Sequence, residues 1–187
     1  MKQNLPNITL KKTFGHLKTI IIHKWWVFYY ACKLGIPWRG IKHDMSKFSP
    51  VEFWESVRYW DGKSSPIPRC KLDRGYSLAW QHHKGHNSHH YEYWVDYLDT
   101  GGQAIKMPWK DVLEMTADWL GAGKAYQGKD FKLTGEYQYV REKLRTAKIH
   151  PDTAKFLRNL FKAFALEPNR LQHFKRFSKE YQKTYES

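Results

Sequence analysis

Between Thr9 and Leu34 the chain carries a residue pattern that suits a helix and little else. Phe14, Leu17, Ile21, Trp25 and Phe28 recur at three- and four-residue spacing, which places them on one side of a 3.6-residue spiral. The stretch predicts one long helix with that side facing the core. Gly35 supplies a stop, and Pro37 can open a short second helix. Ser49-Pro50-Val51-Glu52 reads as a capping box with proline at the first helical position, which predicts a helix to about Trp60. Residues 61–75, DGKSSPIPRCKLDRG, are rich in Gly, Pro, Ser and charge and read as a surface loop. A helix from about Ser77 carries a run of histidines, with room for a break near Gly85–Asn87, and continues through Tyr97. Asp99-Thr100-Gly101-Gly102 reads as a turn. Pro108 opens a helix to about Ala125 with Val112, Met115, Trp119 and Leu120 on its buried side. From about Gly135, two or three amphipathic helices are split by Pro151 and Pro168. No segment reads as a strand, so the expected class is all-α.

The bulk numbers narrow the setting. A length of 187 residues fits one compact domain. With 41% hydrophobic and 17% aromatic residues, disorder is excluded as a description of the whole. Cys32 and Cys70 form no CxxC, which argues against a disulfide framework and a thiolate-only zinc site. The opening MKQNLPNITLKKTFGHLK lacks the apolar region of a secretory signal. The apolar stretch that follows is broken by His23 and Lys24 and is too short and polar to span a bilayer. The expectation is a cytoplasmic chain with no membrane role. A formal charge of +14 favours anionic partners, such as a phosphate-bearing small molecule or nucleic acid.

Five of the ten histidines fall in Gln81-His82-His83-Lys84-Gly85-His86-Asn87-Ser88-His89-His90. On a continuous helix His82, His86 and His90 would share a face, while His83 would sit above Asn87 and His90. Imidazoles one turn apart can grip a single metal ion. His43-Asp44 is a second signal. Alone such a pair is usually exposed or a cap, but Ile41 and Phe48 bracket it, and Lys47 lies one turn on, where it could meet a phosphate. His23 interrupts an aromatic helix, a setting in which a lone histidine is more often a hydrogen-bonded core residue than a ligand. Glu114 and Asp118 stack one turn apart; exposed, they would repel, and a cation between them would reverse the sign. Asp118, flanked by Ala117 and Trp119, is the better placed. Most tryptophans fall at helical spacing and are expected in the core, with one or two left to stack on a base.

The order His23, His43-Asp44, the histidines of 82–90, then Asp118, all on expected helices, resembles the pattern of the HD-domain superfamily. Ile41-Lys42-His43-Asp44-Met45-Ser46-Lys47-Phe48 is similar to its HD-x-x-K signature. The added histidines are similar to variants that hold two metal ions, such as the HD-GYP phosphodiesterases, although no GYP motif follows here. More closely, the chain resembles an uncharacterised family of bacterial and phage proteins. That likeness rests on His23-Lys24, the HDxSKF run at 43–48, Ala79-Trp80 with His82-His83, Asn87-x-His89-His90, Tyr93-Trp94, Met107-Pro108 and Glu114-Met115 with Asp118-Trp119. It covers about residues 14 to 165.

The resemblance implies an HD-domain-like helical bundle over 1–130, with a basic C-terminal helical extension over 131–187 packed on the same domain. It implies a metal-dependent phosphohydrolase, cleaving a phosphomonoester or phosphodiester of a nucleotide-like molecule. His23, His43, Asp44 and Asp118 would hold a divalent ion, and His83, His89 and His90 a second ion or the substrate. Mixed imidazole and carboxylate donors suit Mn, Fe, Co, Ni or Zn better than Mg. Asp44, Lys47 and His83 are the expected catalytic residues, and Lys47, with Lys84 behind it, would neutralise phosphate. Asn87 and Glu92 would fix imidazole orientation. Two rivals remain at this stage. One is a nucleic-acid-binding helical protein with a structural metal, supported by Arg141, Lys143, Arg145, Lys148 and the other cations of the C-terminal third. The other is a redox or oxygen-handling metal protein, for which the usual paired ExxH motifs are missing.

Overall fold

The computed structural model describes residues 5–97 and 101–187. Ten α-helices carry the fold among them. They are α1 (Leu10–Leu34), α2 (Pro37–Lys42), α3 (Pro50–Tyr59), α4 (Pro66–Arg74), α5 (Leu78–His86), α6 (Trp109–Gln127), α7 (Leu133–Thr146), α8 (Pro151–Leu166), α9 (Pro168–Gln172) and α10 (Phe174–Glu186). The chain is all-α. The small exception is an antiparallel pairing of β1 (Val95–Asp96) with β2 (Gln103–Ala104), too short to act as a layer.

Thr9 caps α1 by accepting the Lys12 amide, and Gly35 closes it in the left-handed conformation, φ 83°. The helix lies the other way round from the sequence expectation. Phe14, Ile21 and Trp25 are exposed, and the buried side is His16, Ile20, His23, Val27, Tyr30, Ala31 and Leu34. Both sides carry apolar residues at helical spacing, so periodicity alone does not choose between them. What decides is the partner. The inner side lies along α6, whose residues 111–121 are buried without a gap. Gly121 permits the approach, since a β-carbon there would stand 2.6 Å from Val27 Cγ2 and 2.9 Å from the Val27 amide nitrogen. Gly40 of α2 does the same against Ala31 and Phe28. A single apolar cluster joins Val27, Leu34, Val112 and Leu120 to Val140, Leu157, Phe164 and Phe174, so the C-terminal helices share a core with the first two-thirds of the chain.

Three further readings change. The 61–75 segment contains α4: Ser65 accepts the Ile67 amide and Pro66 takes the first helical position, so the Ser-Pro step starts a helix where a loop was expected. The histidine helix ends at His86. Beyond Asn87 the chain turns, forms a 3-10 segment at Tyr91–Trp94 and enters β1. Asp99 and Thr100 of the expected turn lie outside the described residues, while Gly101 and Gly102 adopt positive φ. Of the tryptophans, Trp109 and Trp119 are buried in the core, whereas Trp25, Trp38 and Trp54 are exposed. No helix among the described residues is long and apolar enough to cross a membrane.

Candidate metal centre

His23 lies on the inner side of α1, where close packing brings its Nε2 to 3.1 Å from Asp118 Oδ1 on α6. His43 and Asp44 follow α2. Asp44 is the non-glycine residue of positive φ among the described residues, at φ 54°, ψ 31°. Aspartate tolerates this region better than most residues, and the kink turns its side chain inward at 1% exposure. Lys24 of α1 donates to the His43 carbonyl and steadies the turn. His83 comes from the last turn of α5. His89 and His90 come from the segment after it, and the break at Asn87 swings them back beside His83, with Nε2 of His83 and His90 2.8 Å apart. A continuous helix would have carried His90 away with His82 and His86; those two stack on each other at 3.9 Å instead.

The two oxygens of Asp44 face different partners. Oδ2 lies 3.5 Å from His23 Nε2 and 3.2 Å from His43 Nε2, and accepts from Lys47 Nζ. Oδ1 lies 3.4 Å from His83 Nε2 and 3.3 Å from His89 Nε2. Two four-donor sets able to hold an ion result, His23-His43-Asp44-Asp118 and Asp44-His83-His89-His90, with donor atoms in each within 4.8 Å of one another; His43, His89 and Glu114 form a further set of three. All seven residues singled out as ligands in the sequence therefore converge, with Asp44 common to both sets.

Two observations test whether these donors fit a cation. First, His23 Nε2, His43 Nε2, His89 Nε2 and Asp44 Oδ1 are buried without a hydrogen-bond partner. They stand near carboxylate or imidazole atoms but are not aligned to bond them, an arrangement costly in a dry interior. Secondly, donors about 2.1 Å from a shared centre stand roughly 3.0–3.4 Å from their neighbours. Four of the six separations above, 3.1–3.4 Å, fall in that range, and the other two, 2.8 and 3.5 Å, lie close to it. The donors fit.

Outer carboxylates set the imidazole faces. His43 Nδ1 lies 3.1 Å from Glu114 Oε1, and His89 Nδ1 lies 3.2 Å from the same oxygen. Glu114 Oε2 accepts from Arg39 Nε at 2.5 Å, and Arg39 also pairs with Asp111, which Ser88 bonds at 2.5 Å. Glu52, 3% exposed, accepts from His83 Nδ1 and His82 Nδ1, each at 2.7 Å. With Nδ1–H donated outward, the Nε2 atoms of His43, His83 and His89 face into the cluster. Glu114 stands against both His43 and His89, where it can orient the two imidazoles or join them as a third donor. Glu52 was assigned to a capping box, yet Ser49 makes no side-chain cap and Glu52 serves the histidines. Asn87 does lie beside His83, donating to its carbonyl at 2.7 Å, whereas Glu92 makes no hydrogen bond to an imidazole among the described residues. Lys84 sits over the Tyr97 ring, away from the centre.

Electrostatics follow this packing. Burial disfavours charge on His43, but Asp44, Asp118 and Glu114 outweigh it and hold the imidazole well above its ordinary pKa. Burial raises Asp44, and His43, Lys47 and His83 more than reverse it, leaving the carboxyl well below the usual range. Asp118 behaves alike under His23 and His43. His90 goes down, first through burial, then through His89 and His83. A cavity of about 190 Å³ opens onto His23, Lys47, His83, His90 and Asp118, with apolar walls including Ile20, Ile67 and Trp80.

The fold and site define an all-helical protein organised around a buried cluster of imidazoles and carboxylates able to hold metal. Residues 12–163 match the family of unknown function DUF5662, and the chain belongs to that family. Comparison with curated proteins and with solved structures gives no match.

Proposed function

We propose that this protein is a metal-dependent phosphohydrolase acting on a nucleotide-like substrate, with two divalent ions sharing Asp44. The observation that carries the reading is the division of the Asp44 oxygens between two donor sets. The resemblance of His23, His43-Asp44 and Asp118 to the HD-domain quartet supports it. Mixed nitrogen and oxygen donors favour Mn, Fe, Co, Ni or Zn. When bound, such ions supply Lewis-acid polarisation of a phosphoryl oxygen and a lowered pKa for water. The chain's own residues do the rest. Glu114 and Glu52 hold the Nδ1 protons of His43, His89 and His83. Lys47 lines the cavity and donates to Asp44 Oδ2, where its ammonium would also neutralise a phosphate oxygen. Ile20, Ile67 and Trp80 exclude bulk water. In the balanced reaction water's oxygen bonds phosphorus, the P–O bond to the organic group breaks, and that group leaves as an alcohol carrying water's proton.

The test is elemental analysis of the purified protein beside His43→Ala and Asp118→Ala, followed by a panel of nucleotides and phosphodiesters with Mn²⁺. The expected result is two ions per chain, loss of one of them in each variant, and turnover of at least one substrate by the unaltered protein. Two ions retained in both variants would remove those residues from the site. Metal without turnover would favour a nucleic-acid-binding protein with a structural metal, whose binding should weaken steeply with added salt.

A further inference from the structure

The inner side of α1 continues beyond His23. His16 precedes it by seven residues, about two turns, so the two imidazoles share a face and stand about 10 Å apart along the axis. His16 is 5% exposed, its Nδ1 has no hydrogen-bond partner, and its ring lines the same 190 Å³ cavity that reaches His23, His83 and Asp118. Between the two ends the wall is largely apolar, from Ile20, Ile67, Trp80 and Tyr126.

The site chemistry limits what can lie there. The charged group nearest in effect to His16 is Lys47; burial, and then that cation, push the imidazole down to about 4. It is neutral near pH 7 and offers one donor and one acceptor. A neutral imidazole in an apolar wall matches an uncharged heteroaromatic edge or hydroxyl, while phosphate has the metal donors at the other end. The neighbouring cavity beside Trp38, Arg39 and Lys42 touches His89 and Glu114 but none of His23, His43, Asp44, His83, His90 or Asp118. A further cavity, lined by Trp119, Glu136 and Tyr139, adjoins the first and shares Ser65, Ala122 and Tyr126 with it.

We propose that this cavity receives the organic half of a phosphomonoester, one ring system wide, and that His16 hydrogen-bonds its uncharged far edge. The substrate class is then a nucleoside monophosphate, which spans the distance from the metal donors to His16. A sugar phosphate alone falls short of His16, and a dinucleotide would need the adjoining cavity toward Trp119 and Tyr139 as well. His16 is a specificity-determining residue of the pocket, and the inference rests on the phosphohydrolase reading.

Calorimetric titration of the Mn²⁺-loaded protein tests it without turnover, using non-hydrolysable phosphonate analogues of adenosine and thymidine monophosphate, methylphosphonate, and the dinucleotide ApA. At least one nucleoside phosphonate should bind about tenfold tighter than methylphosphonate, and ApA should bind weakly. Loss of one neutral hydrogen bond in His16→Ala should weaken the nucleoside analogue about three- to tenfold and leave methylphosphonate unchanged. His16→Gln, which keeps a donor and an acceptor, should recover part of the loss, and the His16 ring resonances of the unaltered protein should shift on adding the analogue. Equal binding of methylphosphonate and nucleoside analogues, equal loss for both in His16→Ala, or tight ApA binding would overturn the pocket assignment alone. Failure of every phosphonate to bind would overturn the phosphohydrolase reading with it.

Discussion

Glu52 and Glu114 hold different imidazoles, which makes the proposed two-ion arrangement separable by substitution. Glu52 bonds His83 at 2.7 Å and so orients a donor of the His83-His89-His90 set only. Glu114 Oε1 lies 3.1 Å from His43 Nδ1 and 3.2 Å from His89 Nδ1, one from each set. Removing a carboxylate that orients a metal-bound histidine typically lowers affinity about 10–100-fold, or roughly 1.4–2.7 kcal/mol. Glu52→Gln should therefore weaken one Mn²⁺ site by that factor and leave the other close to its original affinity. Glu114→Gln should weaken both, and it also removes one of the two carboxylates on Arg39, leaving Asp111 to hold the guanidinium. Calorimetric Mn²⁺ titration, with electron paramagnetic resonance to follow coupling between the ions, resolves the two steps. Equal weakening of both steps in Glu52→Gln, or of a single step in Glu114→Gln, would refute the division at Asp44.

Other substitutions probe the scaffold. Asp44→Asn keeps a residue that tolerates positive φ but removes the charge. In chelator it should melt near the unaltered protein and lose the rise in melting temperature that Mn²⁺ gives, while Asp44→Ala should also be less stable because of backbone strain. Gly121→Val places side-chain atoms where α1 and α6 meet and should lower stability by about 1–3 kcal/mol, read by urea unfolding, with reduced metal content. Glu136, 2% exposed, has its carboxyl pushed up to about 7 by burial and then by Asp118. Folded, it keeps its proton to about pH 7, but unfolded it loses it near 4.5, so stability present below 4.5 is lost as pH rises to 7. Glu136→Gln should escape that loss and exceed the unaltered protein by about 3 kcal/mol at pH 8, with no gain at pH 4.5. Urea unfolding in chelator at both pH values checks it, and a gain independent of pH would count against a buried protonated carboxyl.

Residues with strong ligand chemistry and a helical setting were legible without coordinates. His23, His43, Asp44, His83, His89, His90 and Asp118 meet because each sits where α1, the turn after α2, the end of α5 or α6 faces one interior point. The orienting groups were not. Glu52 satisfies a capping pattern as well as it satisfies His83, and local sequence carries nothing to separate the two. Arg39 and Asp111 are ordinary surface residue types until α2 lies against α6. The exposed side of α1 shows the same limit, since a helix apolar on two sides announces that it has a partner but not which side meets it. A break near Gly85–Asn87 is legible in the histidine run, but its consequence is not: beyond Asn87 the chain does not resume the helix, and it returns His89 and His90 to His83. His16 shared a face with His23 at seven-residue spacing all along, yet without the cavity beside it there was no reason to single it out.

The placement of the cluster also bears on stability. Asp111, Glu114 and Asp118 step along one side of α6 inside the most deeply buried stretch of the chain. Buried carboxylates are costly unless paired and hydrogen-bonded. Arg39 and Ser88 satisfy Asp111, and Arg39 and two imidazoles satisfy Glu114, but His23 Nε2, His43 Nε2, His89 Nε2 and Asp44 Oδ1 are left without hydrogen bonds. A cation that satisfies these atoms binds the folded chain far better than the unfolded one, so metal affinity and folding free energy become linked. The α1–α6 contact then has two roles that cannot be separated by distance. Val27 and Gly121 hold the helices close enough for His23 to reach Asp118, and an ion between His23 and Asp118 would hold the helices together in turn.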